Sequence, residues 1–435
     1  MSNPRIEAIK ILTKFEKNSS FSSIALTDEI KSKHFKDSRD TALTVSLVYG
    51  VLEHKKTLDY NINFYLAAKS KIKPELFNVL RIGCYQLLYL DKIPVSAAVN
   101  ESVKAAKVLG FSYASGMVNA VLRKISQSGL LLPEISDINN YLSIKYSVNI
   151  DIVGLLIKQY GYEKTEEIFI NFEGRRPIYI RCNKLKCSEE LLISQLAQEN
   201  VIVKKTSLEG CYAVECTGDI AQLKAYKDGY FYVQDMSSQI CCKLLAAKPD
   251  DTVVDCCAAP GGKSFTVAQY MNNTGVLYSC DLYEHKIDLI NKSSNRLGIR
   301  NIKTICSDAR LLKSYGIKAD RVLCDVPCSG LGVIGRKPEI RYKSLDEISA
   351  LSLIQKEILY SCAEMVKPGG TLIYSTCSIN KNENEQVCDT FLNENPDFSV
   401  DLSGEYGEIT DRYITLFPNV DSGDGFFIAK FIRGE

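Results

Sequence analysis

The chain contains no apolar run of eighteen residues or more, so no membrane-spanning helix is expected. Its N-terminus, Met1-Ser2-Asn3-Pro4-Arg5, leads into a charged amphipathic segment without the apolar core of an export signal, which points to the cytoplasm. Histidine occurs only at His34, His54 and His285, and no Cys-x-x-Cys pair is present, so no metal site is expected. Internal repeats and low-complexity segments are also missing. Cysteine, by contrast, is plentiful. The sixteen cysteines are scattered through apolar, strand-like runs of a long chain, which reads as reduced thiols and not as a disulfide framework.

What is present is the balance of a globular protein: 435 residues, 46% hydrophobic and 24% charged. That length exceeds one ordinary core, so two or three domains are expected. The net charge of +1 is unevenly placed, with 20 Lys/Arg against 13 Asp/Glu in residues 1–145. A basic front suits phosphate neutralisation, and a solvated helical surface explains it equally well.

Residues 1–140 carry helical periodicity at 5–17, 38–55, 95–109 and 113–127, and in Leu76–Leu88 the apolar positions cover most of the circumference, as in a buried bundle helix. Between about 141 and 235, two short helices (149–160 and 162–172) precede a strand at 177–182 and a helix at 188–199. Strands at 201–203 and 211–215, a helix at 218–225 and a strand at 229–233 follow. This β-α-β-β-α-β order predicts a small ferredoxin-like α+β unit, without the aromatic signature of RNA-recognition modules. From 236 to 435, strands at 252–256, 276–280, 302–306, 321–324 and 371–375 alternate with helices at 262–271, 284–296 and 346–366, the last stopped by Pro368-Gly369-Gly370. Such alternation predicts a doubly wound, mostly parallel α/β sheet with its site at the carboxyl ends of the strands. Residues 413–417 and 426–429 read as a closing hairpin.

Chemistry gathers at those strand ends. The first strand runs into Asp255-Cys256-Cys257-Ala258-Ala259-Pro260-Gly261-Gly262-Lys263-Ser264, where small residues let backbone N–H groups meet a ligand at a helix start. A nucleoside triphosphate is one candidate, since Gly262-Lys263-Ser264 copies the end of a phosphate loop and 321–325 could pass for its metal-binding strand. Cys257 stands where such a loop needs glycine, however, and Pro260 removes a donor. S-adenosylmethionine, with its carboxylate on the helix start, suits the turn better. Asp281, after the second strand, is spaced to hold ribose hydroxyls, or simply to cap the next helix; Asp308, after the third, is placed towards the adenine end or serves as a cap. The fourth and fifth strands run into Asp325-Val326-Pro327-Cys328-Ser329-Gly330 and Ser375-Thr376-Cys377-Ser378. A cysteine is ordinarily a small buried hydrophobe, but these two lie just past strand ends, beside Pro, Ser and Gly, at the edge that bears the site.

Taken together and in this order, the Cys-Ala-Ala-Pro-Gly-Gly-Lys, Asp-x-Pro-Cys-Ser-Gly and Ser-Thr-Cys-Ser blocks resemble the Sun-type cytosine-5 RNA methyltransferase family, and the likeness spans essentially the whole chain. Residues 1–140 are similar to the NusB family of RNA-binding helical domains, an extension that marks the ribosomal branch apart from transfer-RNA relatives. The resemblance implies a Rossmann-like class I methyltransferase domain acting on 16S ribosomal RNA. It implies that Cys257, Ala258, Ala259, Pro260, Gly261, Gly262 and Lys263, with Asp281, Asp308 and Asp325, bind S-adenosylmethionine. It further implies Cys377 as nucleophile and Cys328 as the cysteine that helps release product; Asp325, if protonated or sharing a proton with ring nitrogen 3 of the base, would stabilise the adduct as a general acid. The expected partner is naked or early-assembly 16S RNA, met by a monomer without metal or membrane. A non-catalytic RNA-binding factor would need neither cysteine.

Overall fold

A computed structural model of the chain describes residues 3–17, 26, 29–30, 37–66, 72–174, 176–216, 218–401, 408–410, 412–419 and 423–435. They form two compact units, one of Met1–Ile170 with Lys337–Ser344, the other of Asn171–Arg336 with Leu345–Glu435.

The first unit is helical: α1 (Pro4–Lys17), α2 (Ser38–Glu53), α3 (Lys55–Tyr65), α4 (Pro74–Tyr89), α5 (Val95–Val108), α6 (Ser115–Ser128), α7 (Ile138–Lys145) and α8 (Ile150–Phe172). Helix α4 starts on Pro74, whose missing N–H costs nothing in a first turn, and Leu76, Val79, Leu80, Ile82 and Cys84 bury its apolar faces. Fully burying such a side chain contributes about 1.5–3 kcal/mol. The helix expected over 38–55 is α2, which ends at Glu53 because His54 leaves helical geometry (φ −117°, ψ 17°); α3, which follows, was not foreseen. The His54 ring stacks on Tyr89 at 4.0 Å, a contact that periodicity does not encode. In α8 the chain breaks at Gly161 (φ 79°, ψ 170°), between the two helices expected there.

The segment 337–344 is a feature that periodicity does not foretell. Although it lies in sequence inside the methyltransferase-like stretch, its 3₁₀ turn Pro338–Tyr342 belongs to the helical unit. Buried Arg341 donates to the carbonyl of Tyr146 at 2.6 Å, and the Tyr342 hydroxyl donates to that of Leu52.

In the second unit, β1 (Ile178–Cys182), α9 (Glu189–Gln198), β2 (Ile202–Lys205), β3 (Cys211–Glu215), α10 (Lys224–Lys227) and β4 (Phe231–Val233) make an antiparallel sheet ordered β2-β3-β1-β4. That is the ferredoxin-like arrangement. The helix expected at 218–225 is shorter and split, a 3₁₀ turn at Ile220–Gln222 followed by α10.

The larger sheet follows α11 (Met236–Leu245) and uses β5 (Thr252–Asp255), β6 (Val276–Asp281), β7 (Ile302–Cys306), β8 (Ala319–Asp325) and β9 (Val366–Thr376), all parallel where they pair. Helices α12 (Gly262–Tyr270), α13 (Glu284–Leu297) and α14 (Leu345–Ala363) lie between strands in sequence. After α15 (Glu385–Glu394), the strands β10 (Phe398–Val400), β11 (Glu408–Thr410), β12 (Tyr413–Leu416) and β13 (Phe426–Arg433) close the sheet with antiparallel pairing. The order β7-β6-β5-β8-β9-β13-β12-β11 reverses direction beside β5, and the ends of β5, β6, β8 and β9 therefore share one edge. Helix α14 ends at Ala363, earlier than expected, and Pro368-Gly369-Gly370 does not stop it. Those residues bulge inside β9, where Val366 pairs with Ala319 but Thr371 with Arg321, and Gly369 (φ 73°) supplies the turn. Along α14 Ile348, Ile358 and Cys362 are buried, whereas Ile354 is exposed and the polar Gln355 is buried, for a reason given below. Among the described residues no helix is long and apolar enough to cross a membrane.

Candidate active site

Strand β5 delivers Asp255 to the sheet edge, and the chain then folds back through Cys257–Pro260 into α12. Gly261 opens that helix at φ 104°, and a Cβ there would sit 2.3 Å from the Phe265 ring, so only glycine fits. The turn is tied down by Ala258 N–H donating to the Cys280 carbonyl (2.8 Å) and Ala259 N–H donating to Asp281 Oδ2 (3.3 Å). Asp281, 6% exposed at the end of β6, also accepts from Tyr283 N–H and faces Lys286 Nζ at 3.5 Å. It therefore braces two loops at once. Asp308 follows β7, where its carboxylate caps Arg310 N–H and pairs with that arginine's guanidinium (2.6 Å).

Asp325, at the end of β8, is held from two sides: Lys263 Nζ lies 2.7 Å from Oδ2, and the Ser375 hydroxyl donates to Oδ1 at 2.8 Å. Burial alone would lower the Lys263 pKa, but Asp325 outweighs it and holds the ammonium above its ordinary value. Asp255, one strand away, is a site residue that the motif reading passed over. It accepts from Ser264 Oγ (2.7 Å), and its other oxygen bonds nothing among the described residues. Burial pushes its pKa up to about 7.

Cys328 and Cys377 come together. Both are partly exposed, and their sulfurs stand 3.0 Å apart. The hydrogen bond to Cys377, reinforced by burial, drives the Cys328 thiol well above its usual pKa, and either sulfur can be the donor of the pair. Most of the other cysteines are buried hydrophobes.

What sets this spacing is Glu383, wholly buried and absent from the motif reading. Its Oε1 accepts from Ser329 N–H (2.7 Å) and Gln355 Nε2 (3.0 Å). Oε2 accepts from the hydroxyls of Ser329 and Ser378 and from Asn380 Nδ2. One carboxylate thus binds the residue after each cysteine, and Gln355 is drawn inwards from α14 to complete it. Five donors offset the desolvation of a buried charge. The one sequence clue was an acidic residue in the polar run 380–385 just past the Ser-Thr-Cys-Ser block.

A second clasp lies beyond. Gly332 N–H donates to the Cys377 carbonyl (2.9 Å) and Gly425 N–H to that of Gly332 (2.8 Å). A Cβ on Gly332 would fall 2.0 Å from the Gly425 carbonyl oxygen. Arg336 then anchors this loop to Asp424 (2.6 Å) and Asp235 (3.2 Å). The site is therefore a pair of loops locked to each other, with two thiols at their contact.

Residues 242–432 match the model of the family described as 16S rRNA methyltransferase RsmB/F, and residues 2–127 match that of the NusB family. The chain is 37% identical to the probable ribosomal RNA small subunit methyltransferase B of Bacillus subtilis (strain 168), with 97% of each chain covered. Among solved structures, it is similar to the crystal structure of PH0851 (TM-score 0.82, 27% identity, 99% of each chain). It is also similar to a methyltransferase homologue from Pyrococcus horikoshii, with TM-score 0.60 and 28% identity over 67% of this chain and 97% of the other.

Proposed function

This chain belongs to the RsmB/F family of 16S rRNA methyltransferases, and from that premise we propose that it methylates carbon 5 of one cytosine through a covalent adduct on Cys377. The observation that carries the reading is the Cys328–Cys377 pair on the strand-end edge beside the Lys263–Asp325 pair. The cofactor is S-adenosylmethionine, and the residues fit it: the turn Cys257–Lys263 presents small residues at a helix start, and Asp281 stands at the end of β6 where a ribose is held. When bound, it supplies an electrophilic methyl group to carbon 5.

Carbon 5 of cytosine is too weak a nucleophile until a thiolate has added to carbon 6. In the proposal Cys377 makes that bond, and the Cys328 S–H, donating to the Cys377 sulfur, favours the thiolate form. Asp325, sharing a proton with ring nitrogen 3, stabilises the adduct as a general acid, its carboxyl group held in place by Lys263 and Ser375. Once the Cys377 sulfur is bonded to carbon, the largest cause of the raised Cys328 pKa is gone, and the Cys328 thiol proton passes to water. Cys328, or a water that it orients, then takes the carbon 5 proton, and Cys377 leaves by elimination. The base must be unstacked to reach the thiols, so the substrate is naked or early-assembly 16S RNA with its target single-stranded or flipped out.

Within this proposal residues 1–140 bind RNA as a NusB-like domain, the small α+β domain expected over 141–235 is confined to the part after Ile170, and 236–435 without 337–344 catalyse, in a cytoplasmic monomer without metal. Asp308 belongs to the adenine end of the pocket once Arg310 yields. The test is methyl transfer to 16S RNA fragments. Cys377→Ser is expected to lose at least about 10³-fold, and Cys328→Ala to accumulate a slow-migrating protein–RNA adduct on a denaturing gel. Near-normal turnover by Cys377→Ser would remove the nucleophile assignment.

A further inference from the structure

Distance and access together set Cys328 and Cys377 apart from the other cysteines. Their sulfurs stand 3.0 Å apart, and both side chains are partly exposed. Cys256 and Cys362 are as close, at 2.9 Å, but they are 1% and 0% exposed, out of reach of a solute. Cys182 and Cys187 lie 3.9 Å apart and are also buried. Cys306 is exposed, with its Sγ on the Leu282 carbonyl. The two loops that carry Cys328 and Cys377 are already fixed against each other. Glu383 binds Ser329 and Ser378, the residues after the two cysteines, and Gly332 N–H holds the Cys377 carbonyl. A disulfide is about 2.05 Å long, so roughly 1 Å of closure separates the thiol pair from a covalent bond.

We propose that Cys328 and Cys377 are a modification site for a hydroperoxide, joining in a reversible disulfide that silences methyl transfer. The silencing rests on the function proposed above, since it follows only if Cys377 is the nucleophile. The Cys377 thiolate attacks one peroxide oxygen: an S–O bond forms, the O–O bond breaks, and the departing hydroxide takes a proton to leave as water. The Cys328 sulfur then attacks the sulfur of that sulfenic acid. An S–S bond forms, the S–O bond breaks, and the released hydroxide leaves as water with the Cys328 proton. Two thiols have then given two electrons to one peroxide. A dithiol reverses the bond by exchange. Pairing also spares Cys377 from the sulfinic acid, which thiols do not reduce. Where thiols are kept reduced, such a bond is transient and regulates instead of building the fold. A cytosine bonded to Cys377 uses the same sulfur, so the RNA adduct and the disulfide exclude each other.

The test treats the full chain with hydrogen peroxide, blocks the remaining thiols by alkylation and digests the protein without reduction. In the wild type, peptides carrying residues 328 and 377 are expected to appear linked, two hydrogens lighter than their sum. Exposed Cys306 serves as the internal measure of the peroxide dose. Methyl transfer by the treated protein should fall at least about 10-fold and return with dithiothreitol. In Cys328→Ser the same dose should carry Cys377 on to the sulfinic acid, which dithiothreitol does not undo. The peptide readout needs no methyl transfer, so it separates two failures. Linked peptides beside a fully active Cys377→Ser would uphold the disulfide and discard the nucleophile. If both thiols stay free to alkylate once Cys306 is oxidised, the proposal is overturned, whatever the activity of Cys377→Ser. Sulfinic acid at Cys377 in the wild type, with no linked peptide, overturns it equally.

Discussion

In the helical unit His54 lies against Tyr85 and Tyr89, where burial, seconded by Arg341, lowers its pKa to about 4. In the second unit Asp255 sits under the glycine turn, where burial raises its pKa to about 7. Each unit thus holds a group whose charged form burial disfavours, a base in one and an acid in the other. Desolvation penalises both charged forms alike, but pH acts on them in opposite directions. Below about pH 6.5 an unfolded chain protonates His54 while the folded unit does not, so stability falls with pH down to about 4. Between about 4 and 7 the folded state holds a proton on Asp255 that the unfolded chain has released, so stability rises as pH falls. Acid loosens the helical unit and tightens the catalytic edge.

The two units also differ in how a single change propagates, and the largest effect is expected at the thiols. Glu383→Leu strips five donors of their acceptor, each a buried group costing about 1–3 kcal/mol when unsatisfied. Methyl transfer should fall at least about 100-fold and the protection of 327–332 against hydrogen exchange should drop. A variant that kept both would mean that the two cysteine loops do not depend on this carboxylate.

Next comes the pH contrast itself. Hydrogen exchange of peptides from 38–65 and 252–281, compared at pH 4.5 and 7.5, should show opposite changes. His54→Phe is expected to flatten the first and Asp255→Asn the second, from at most about 3 and 4 kcal/mol respectively. Parallel responses in the two peptides would erase the distinction. The smallest effect is expected at Gly50, where a Cβ would sit 1.9 Å from the Tyr85 ring. Gly50→Ala should cost roughly 1–3 kcal/mol in exchange protection of 38–65, with 252–281 unchanged. Unaltered protection in 38–65 would show that the ring moves aside freely.

Legibility followed the range of the interactions. Apolar period reveals which face of a helix or strand is buried, so most elements of the large sheet were readable within a residue or two. It left helix α3 (Lys55–Tyr65) unmarked and failed at 218–225 and at the end of α14, where a bulge opposite Ala319 overrides local preference. The three motif blocks announced themselves because strand ends joined to Gly, Pro and Ser carry a turn's chemistry in consecutive residues. Glu383, Asp255 and Gln355 did not, because nothing local distinguishes a buried carboxylate or amide from a solvated one.

By itself, the order of residues determined the alternation of strands and helices, the glycine needed at 261 and the placing of two cysteines past strand ends, since each depends on neighbours within a few positions. The tertiary structure alone decided that those cysteines, 49 residues apart in the chain, stand 3.0 Å apart. It also decided that one buried carboxylate holds both their loops, and that 337–344 joins the helical unit. Such facts depend on where sheet pairing returns the chain, and desolvation is felt only once that return has happened.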